Sequence, residues 1–193
     1  MLRIKVEVIT MPKHAFEALL KVFHSLFDDE TKPSLHVGEV MSCWMYLTVL
    51  EESVALEQLA INTTEDKELN DFLHKSMAGA SSQAARLKDF LQQEGIPLPP
   101  SSEPKPISEP SAVPLGAKMT DSEIANFVSV KIAAAITMCA TGAAQSLRND
   151  VGLMFFEFQT ETMKYGAILK SIMKKRGWLK VPPYYYPPGK PNS

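Results

Sequence analysis

Asp71-Phe-Leu-His74 sets a carboxylate and an imidazole three residues apart, a spacing that brings both to one side of a helix. In helical bundles that hold two iron or manganese ions, an acid-x-x-His pair recurs on two helices, and each of two others adds one inward glutamate. Oxygen-rich ligation helped by imidazole suits those metals. The candidate metal ligands here are Glu51, His74 and Glu161. Helical phase, at about 100° per residue, tests them. Glu51 falls about 40° from the stripe through Leu47 and Val54, and Glu161 lies near the apolar face of its own segment, so both are expected to point inward. His74 lies about 110° from the centre of its stripe, with Asp71 nearly opposite that stripe and facing solvent. The segment from Glu123 to Arg148 has no further carboxylate and no histidine, and no histidine follows Glu161 at the needed spacing. The ligand set is incomplete, so the expectation is no cofactor, with iron or manganese as the alternative. An inward carboxylate without a metal must be paired or neutralised, and Lys131 is the expected partner of Glu51 or Glu161.

Other chemistries find no support. The chain lacks G-x-S-x-G, a P-loop and G-x-G-x-x-G, and no catalytic or nucleotide-binding residues are expected. His14, His24 and His36 have no companion ligands and read as surface or packing residues. Cys43 and Cys139 sit in apolar helical stretches, the setting of buried reduced thiols rather than of a disulfide framework. Tyr184, Tyr185 and Tyr186 stand between proline pairs that hold them extended; with Trp178 they are the candidate interaction residues, unless the tail folds back over an apolar seam.

The elements that must position these groups are helical. Phe16, Leu19, Leu20, Phe23 and Phe27 predict a helix over 12–28. Val40, Cys43, Trp44, Leu47, Leu50, Val54 and Ile61 predict a second over 37–61. A third opens near Thr64 and runs to Glu94, where Gly95 stops it. Residues 96–119 hold seven of the 14 prolines and read as an extended linker. Thr120-Asp-Ser-Glu123 is a capping box that starts a helix reaching about Arg148; its Ala, Thr and Gly let neighbours approach closely. The last helix spans about Asp150 to Arg176, with Gly177 as its stop. Shifting the chain by 82 residues lays Gly95 on Gly177, Leu73 on Phe155, Leu87 on Leu169 and Leu91 on Met173. Each hairpin, 37–95 and 120–177, ends in a glycine, an apolar anchor (Ile96 or Trp178) and a proline segment. Two such hairpins bury each other as an all-α, ferritin-like four-helix bundle in one domain, the proline linker being the crossover.

Composition narrows the class. Net charge is −2, which gives no field for nucleic acid or an anionic membrane. Residues 1–95 carry 9 Lys/Arg against 15 Asp/Glu and residues 96–193 carry 11 against 7, so the excess cations gather late, at Lys170, Lys174, Lys175, Arg176 and Lys180. Complementarity to a helix dipole explains them, and a dock for an acidic partner is the sharper alternative. MLRIKVEVIT has no continuous apolar core of a signal peptide, and Met11 is an alternative start. Ile132–Leu147 is too short and mild for a membrane span, so a cytoplasmic setting is expected.

The endings GIPLPP and GWLKVPP with the PPY tail resemble an uncharacterised ferritin-like family of Bacillus-type spore formers. MTDSEIANFVSVKIAAAI and FFEFQTETMKYGAILKSIMKKRGWLKVPPYY are similar to the spore coat protein F domain. That resemblance implies a bundle with no established reaction, in the mother cell or the spore coat, whose partners are other coat proteins; a homodimer is left open. Unlike the shorter coat F domain, this chain has two hairpins. The leading expectation is a non-enzymatic structural or interaction protein. A metal-binding or oxidoreductase protein is the alternative, and a small-ligand carrier using a cavity beside the third bundle-forming segment, 120–148, is a further one.

Overall fold

In the computed structural model, residues 32–185 are described. Chain contacts divide the protein into Met1–Ser34 and Leu35–Ser193. The helix expected over 12–28, His14, His24 and Tyr186 lie outside the described residues. Among its described residues the second unit holds four long helices: α1 (Val37–Ile61), α2 (Lys67–Gln93), α3 (Asp121–Gln145) and α4 (Asn149–Arg176). A short 3-10 turn, Pro110–Ala112, interrupts the linker, and no strand occurs among the described residues.

Local chemistry sets the ends of each helix. His36 caps α1: its Nδ1 accepts from the backbone N–H of Gly38 and Glu39, while Glu39 Oε2 accepts from His36 N. Asp66 caps α2 by accepting from Leu69 N, so that helix starts three residues after Thr64. Thr64 is instead buried and donates its hydroxyl to Asp121, tying the α1–α2 turn to the start of α3. The Thr120–Glu123 capping box forms as its sequence predicts. Helix α3 stops at Gln145, short of Arg148, because Ser146 turns both its N–H and its hydroxyl to Gly142 O. Gly95 and Gly177 adopt left-handed φ values of 72° and 71°. Ile96 N donates to Leu91 O and Trp178 N to Met173 O, each at 2.9 Å, the six-to-one bond of a Schellman end.

Helix α1 packs on α2 and α3, and α4 packs on α3 and α2. The crossover runs back along α1: Ser102 Oγ donates to Glu52, Lys105 N to Gln58 at 2.7 Å, and Asn62 Nδ2 to Pro106 O at 2.8 Å. It therefore delivers α3 to the end of the bundle where α1 finishes. Helix α3 runs antiparallel to α1 and parallel to α2, the arrangement of a ferritin-like bundle with one long crossover.

The core forms two apolar clusters. One gathers Cys43, Tyr46, Leu47, Leu50, Leu87, Leu91, Phe155 and Phe158, with Ile96 packed against it. The other gathers Leu69, Leu73, Ile124, Val128, Ile132, Leu169 and Met173, with Trp178 packed against it. The two apolar anchors thus close opposite ends of the bundle. The small residues of α3 serve close approach, since a Cβ on Gly142 would stand 2.8 Å from the Phe155 ring.

Candidate functional site

Between the two apolar clusters lies a polar layer. Glu57 of α1 is 1% exposed, one helical repeat past Leu50 and Ser53 on the inward face. Its Oε1 accepts from Ser76 Oγ of α2 at 2.7 Å and from Lys131 Nζ of α3. The charge that balances the buried carboxylate is therefore the chain's own ammonium. Glu57 Oε2 has no hydrogen-bond partner. Above this triad a cavity of about 40 Å³ is lined by Ser53, Ser76, Gln83, Lys131, Thr162 and Tyr165 among others, room for a water molecule. On its other side Lys131 borders, with Glu57, a second cavity of about 450 Å³ under the crossover.

A second polar chain crosses the bundle. Tyr46 donates to Gln83 Oε1 at 2.8 Å; Gln83 Nε2 donates to Glu161 Oε2 at 2.9 Å, and Arg86 donates to Glu161 and Glu157. Burial pushes the Tyr46 phenol well above its ordinary pKa, and it pushes Cys43 up to about 12 and Cys139 to about 11, so these groups stay protonated.

At the end where α1 begins, Glu39 Oε1 accepts from Leu147 N and Arg148 N at 2.8 and 2.7 Å. Burial raises the Glu39 pKa, but the N–H groups of Arg148, His36 and Leu147 and the charge of His36 outweigh it, and the net direction is down. Arg148, itself buried, donates to both oxygens of Glu94 and to Asp150. These bonds raise its pKa further.

The sequence candidates fall apart in space. Glu51 pairs with Lys88 at 2.7 Å, Glu161 with Gln83 and Arg86, and His74 and Asp71 are exposed on α2. Lys131 meets neither Glu51 nor Glu161: Glu57, six residues on, lies about 240° around α1 from Glu51 and takes the lysine instead. These residues do not assemble a two-metal site, and among the described residues no three of His, Cys, Asp and Glu converge. Trp178 is half-buried, with its carbonyl held by Asn126, whereas Tyr184 and Tyr185 are 77% and 83% exposed. Of the late cations, Lys175 and Arg176 are paired with Glu68 and Asp66 at the start of α2, and Lys170, Lys174 and Lys180 are exposed. Helix α3 contains an 18-residue stretch of mean hydropathy 1.6, long and apolar enough to cross a membrane, yet the helix carries Lys131 near its middle and packs Ile124, Val128 and Ile132 into the core.

Comparison with known proteins places the bundle. The model of a family described as a protein of unknown function, DUF3231, matches residues 25–190. The chain belongs to the DUF3231 family. The uncharacterised protein YvdQ of Bacillus subtilis strain 168 is 28% identical over 151 residues, covering 78% of this chain and 89% of YvdQ. A Bacillus halodurans C-125 protein whose crystal structure is described as that of a "putative spore coat protein" superposes with a TM-score of 0.78 at 30% identity, over 80% of this chain and 98% of that one. A two-domain protein of Anabaena variabilis ATCC 29413, with DJ-1/ThiJ/PfpI-like and ferritin-like domains, superposes at 0.59 with 14% identity, over 90% of this chain and 52% of that one. That last likeness shows the fold alone.

Glu39, Glu57, Gln83 and Arg148 escaped the sequence reading. The signal for the first two was present: 39, 43, 46, 50, 53 and 57 are spaced by three and four, but a stripe drawn through apolar residues alone omits its polar members.

Proposed function

We propose that this protein is a non-enzymatic structural or interaction protein of spore-forming cells, located in the mother cell or the spore coat. One observation carries the reading: the strongest interior charges answer one another, while apolar groups are turned outward. Inside, Glu57 meets Lys131, and Arg148 meets Glu94 and Asp150. Outside, Met41 and Met45 of α1, Phe127 and Val130 of α3, and Tyr184 and Tyr185 of the tail are exposed. Exposed apolar side chains on the helices, and exposed phenols on the tail, favour protein partners over a small reacting substrate. The likeness to the Bacillus halodurans protein supports a coat setting, and other coat proteins are the partners it suggests.

Mass spectrometry of washed spores tests the location: peptides of this chain are expected in the coat fraction, and their absence from both spores and mother cells would sink the reading. Removing the tail from Val181 is expected to leave helicity intact and to weaken capture by coat extract. Protein purified without chelators is expected to carry less than about a tenth of an iron or manganese per chain, because Glu51, His74 and Glu161 stand apart.

A further inference from the structure

The groove beneath the crossover is a built cavity. Its volume is about 450 Å³, within the range of sites that enclose small molecules. Leu59, Phe127 and Val128 line it from the helices and Val113, Ala117 and Met119 from the crossover, with Leu59, Phe127 and Met119 partly open to solvent. Only two charged side chains line it, Glu57 and Lys131.

Those two define what the groove can hold. Glu57 spends Oε1 on Ser76 and Lys131 and leaves Oε2, an acceptor, without a donor. A buried acceptor left bare costs free energy, and a ligand that brings a donor recovers it. Glu57 lines this groove and not the smaller central cavity, so the groove is the side from which a ligand approaches its carboxylate. Oε2 is itself buried, so a donor meets it through a small turn of the carboxylate about its broad terminal torsion, with Ser76 and Lys131 following Oε1. Lys131 offers three N–H donors, of which Glu57 takes one. A group that both donates and accepts therefore suits the pair. Because Glu57 and Lys131 already balance each other, a charged head would bring an uncompensated charge against the buried pair. A hydroxyl satisfies both conditions.

We propose that the groove between α1, α3 and the crossover binds a neutral, apolar small molecule bearing one hydroxyl, which donates to Glu57 and accepts from Lys131. A medium-chain alcohol is the simplest member of the class. The groove shares Phe127 with the outward apolar surface assigned to protein partners, but its Glu57–Lys131 pair belongs to the groove alone, so ligand binding is read separately from partner capture.

Calorimetric titration and thermal melts of the full chain with 1-octanol, octyl methyl ether, octanoate and octylamine test the proposal. Saturable binding of 1-octanol with a raised melting temperature is expected. The ether, which cannot donate, is expected to bind about ten-fold more weakly or worse, the loss of one hydrogen bond to a charged group. Glu57→Leu, which removes the acceptor, is expected to erase that preference. Should that variant fail to fold, the alcohol–ether comparison on the unaltered protein still decides. Ala117→Trp, on the crossover, is expected to fill the groove and abolish binding while leaving helicity unchanged. Equal binding of alcohol and ether, tighter binding of octanoate or octylamine, unaltered binding by Ala117→Trp, or no binding of 1-octanol would each overturn it.

Discussion

Glu39, in the first turn of α1, accepts hydrogen bonds from the backbone N–H groups of Leu147 and Arg148, 108 and 109 residues away. One carboxylate thus completes the cap of its own helix and supports the entry to α4, where Arg148 makes no side-chain cap bond. Helices α1 and α4 are pinned at a single buried charge.

The pinning has a pH signature. The Glu39 carboxyl is held below its ordinary value of 4.5 in the folded chain, so its contribution is complete above that value. It is lost as pH falls through 4.5 toward the lower folded pKa, because protons then bind the unfolded chain first. Asp66, held down chiefly by its bond to Arg176, acts in the same direction from 3.8. Denaturant melts from neutral pH into acid are expected to show a steep loss that Glu39→Gln flattens, while also lowering stability at neutral pH. An unchanged acid slope in that variant would show that Glu39 does not carry it.

The Glu57–Lys131 pair predicts a strongly non-additive pair of substitutions. Lys131→Met leaves a buried carboxylate facing only Ser76 and is expected to cost about 3–5 kcal/mol. Adding Glu57→Leu removes the stranded charge, and the double variant is expected to recover most of that loss. Urea denaturation of the four proteins measures the coupling, and simple additivity would show that the charges do not see each other.

Three glycines are expected to respond in three ways. Gly142→Ala drives a Cβ into the buried Phe155 ring and is expected to cost about 1–3 kcal/mol. Gly152→Ala meets only ordinary contacts at 3.6 and 3.7 Å and is expected to stabilise by about 0.5–1 kcal/mol through helix propensity. Gly177→Val, at φ 71°, is expected to cost about 1 kcal/mol or more. A Gly142 variant as stable as Gly152→Ala would refute the close α3–α4 contact.

Cys43 and Cys139 are both fully buried, with thiols pushed up to about 12 and 11. At pH 8 a disulfide reagent is expected to label neither in the folded protein and both in concentrated urea. Rapid labelling under native conditions would mean that the core opens far more readily than its packing implies.

Much of the architecture was legible from side-chain periodicity and helix ends, and for a physical reason. Capping boxes, stop glycines and three-four apolar spacing are local devices, so Thr120, Gly95 and Gly177 announce themselves without their neighbours. The repeat of 82 residues gave the hairpins, and the proline linker gave the crossover. The polar layer was not legible in the same way. Glu51, Glu57 and Glu161 are alike as residues; what separates them is which cation the packed bundle sets beside each, namely Lys88, Lys131 and Arg86. Asp66, rather than Thr64, takes the cap of α2 because Thr64 is drawn to Asp121, 57 residues away. Such choices are made by tertiary partners.

The long crossover gives the molecule a particular mechanical character. Its middle is tied by hydrogen bonds to α1, through Glu52, Gln58 and Asn62, while Ser101 to Pro106 lie exposed along it. A protease nick there severs the chain without touching either hairpin's own stop or core. The protein then becomes a two-piece assembly whose halves meet by collision instead of by tether, forfeiting an effective concentration of about the millimolar scale that short linkers supply. In that sense the chain is a pair of hairpins permanently introduced to each other, and its proline strap is what sets the terms of their meeting.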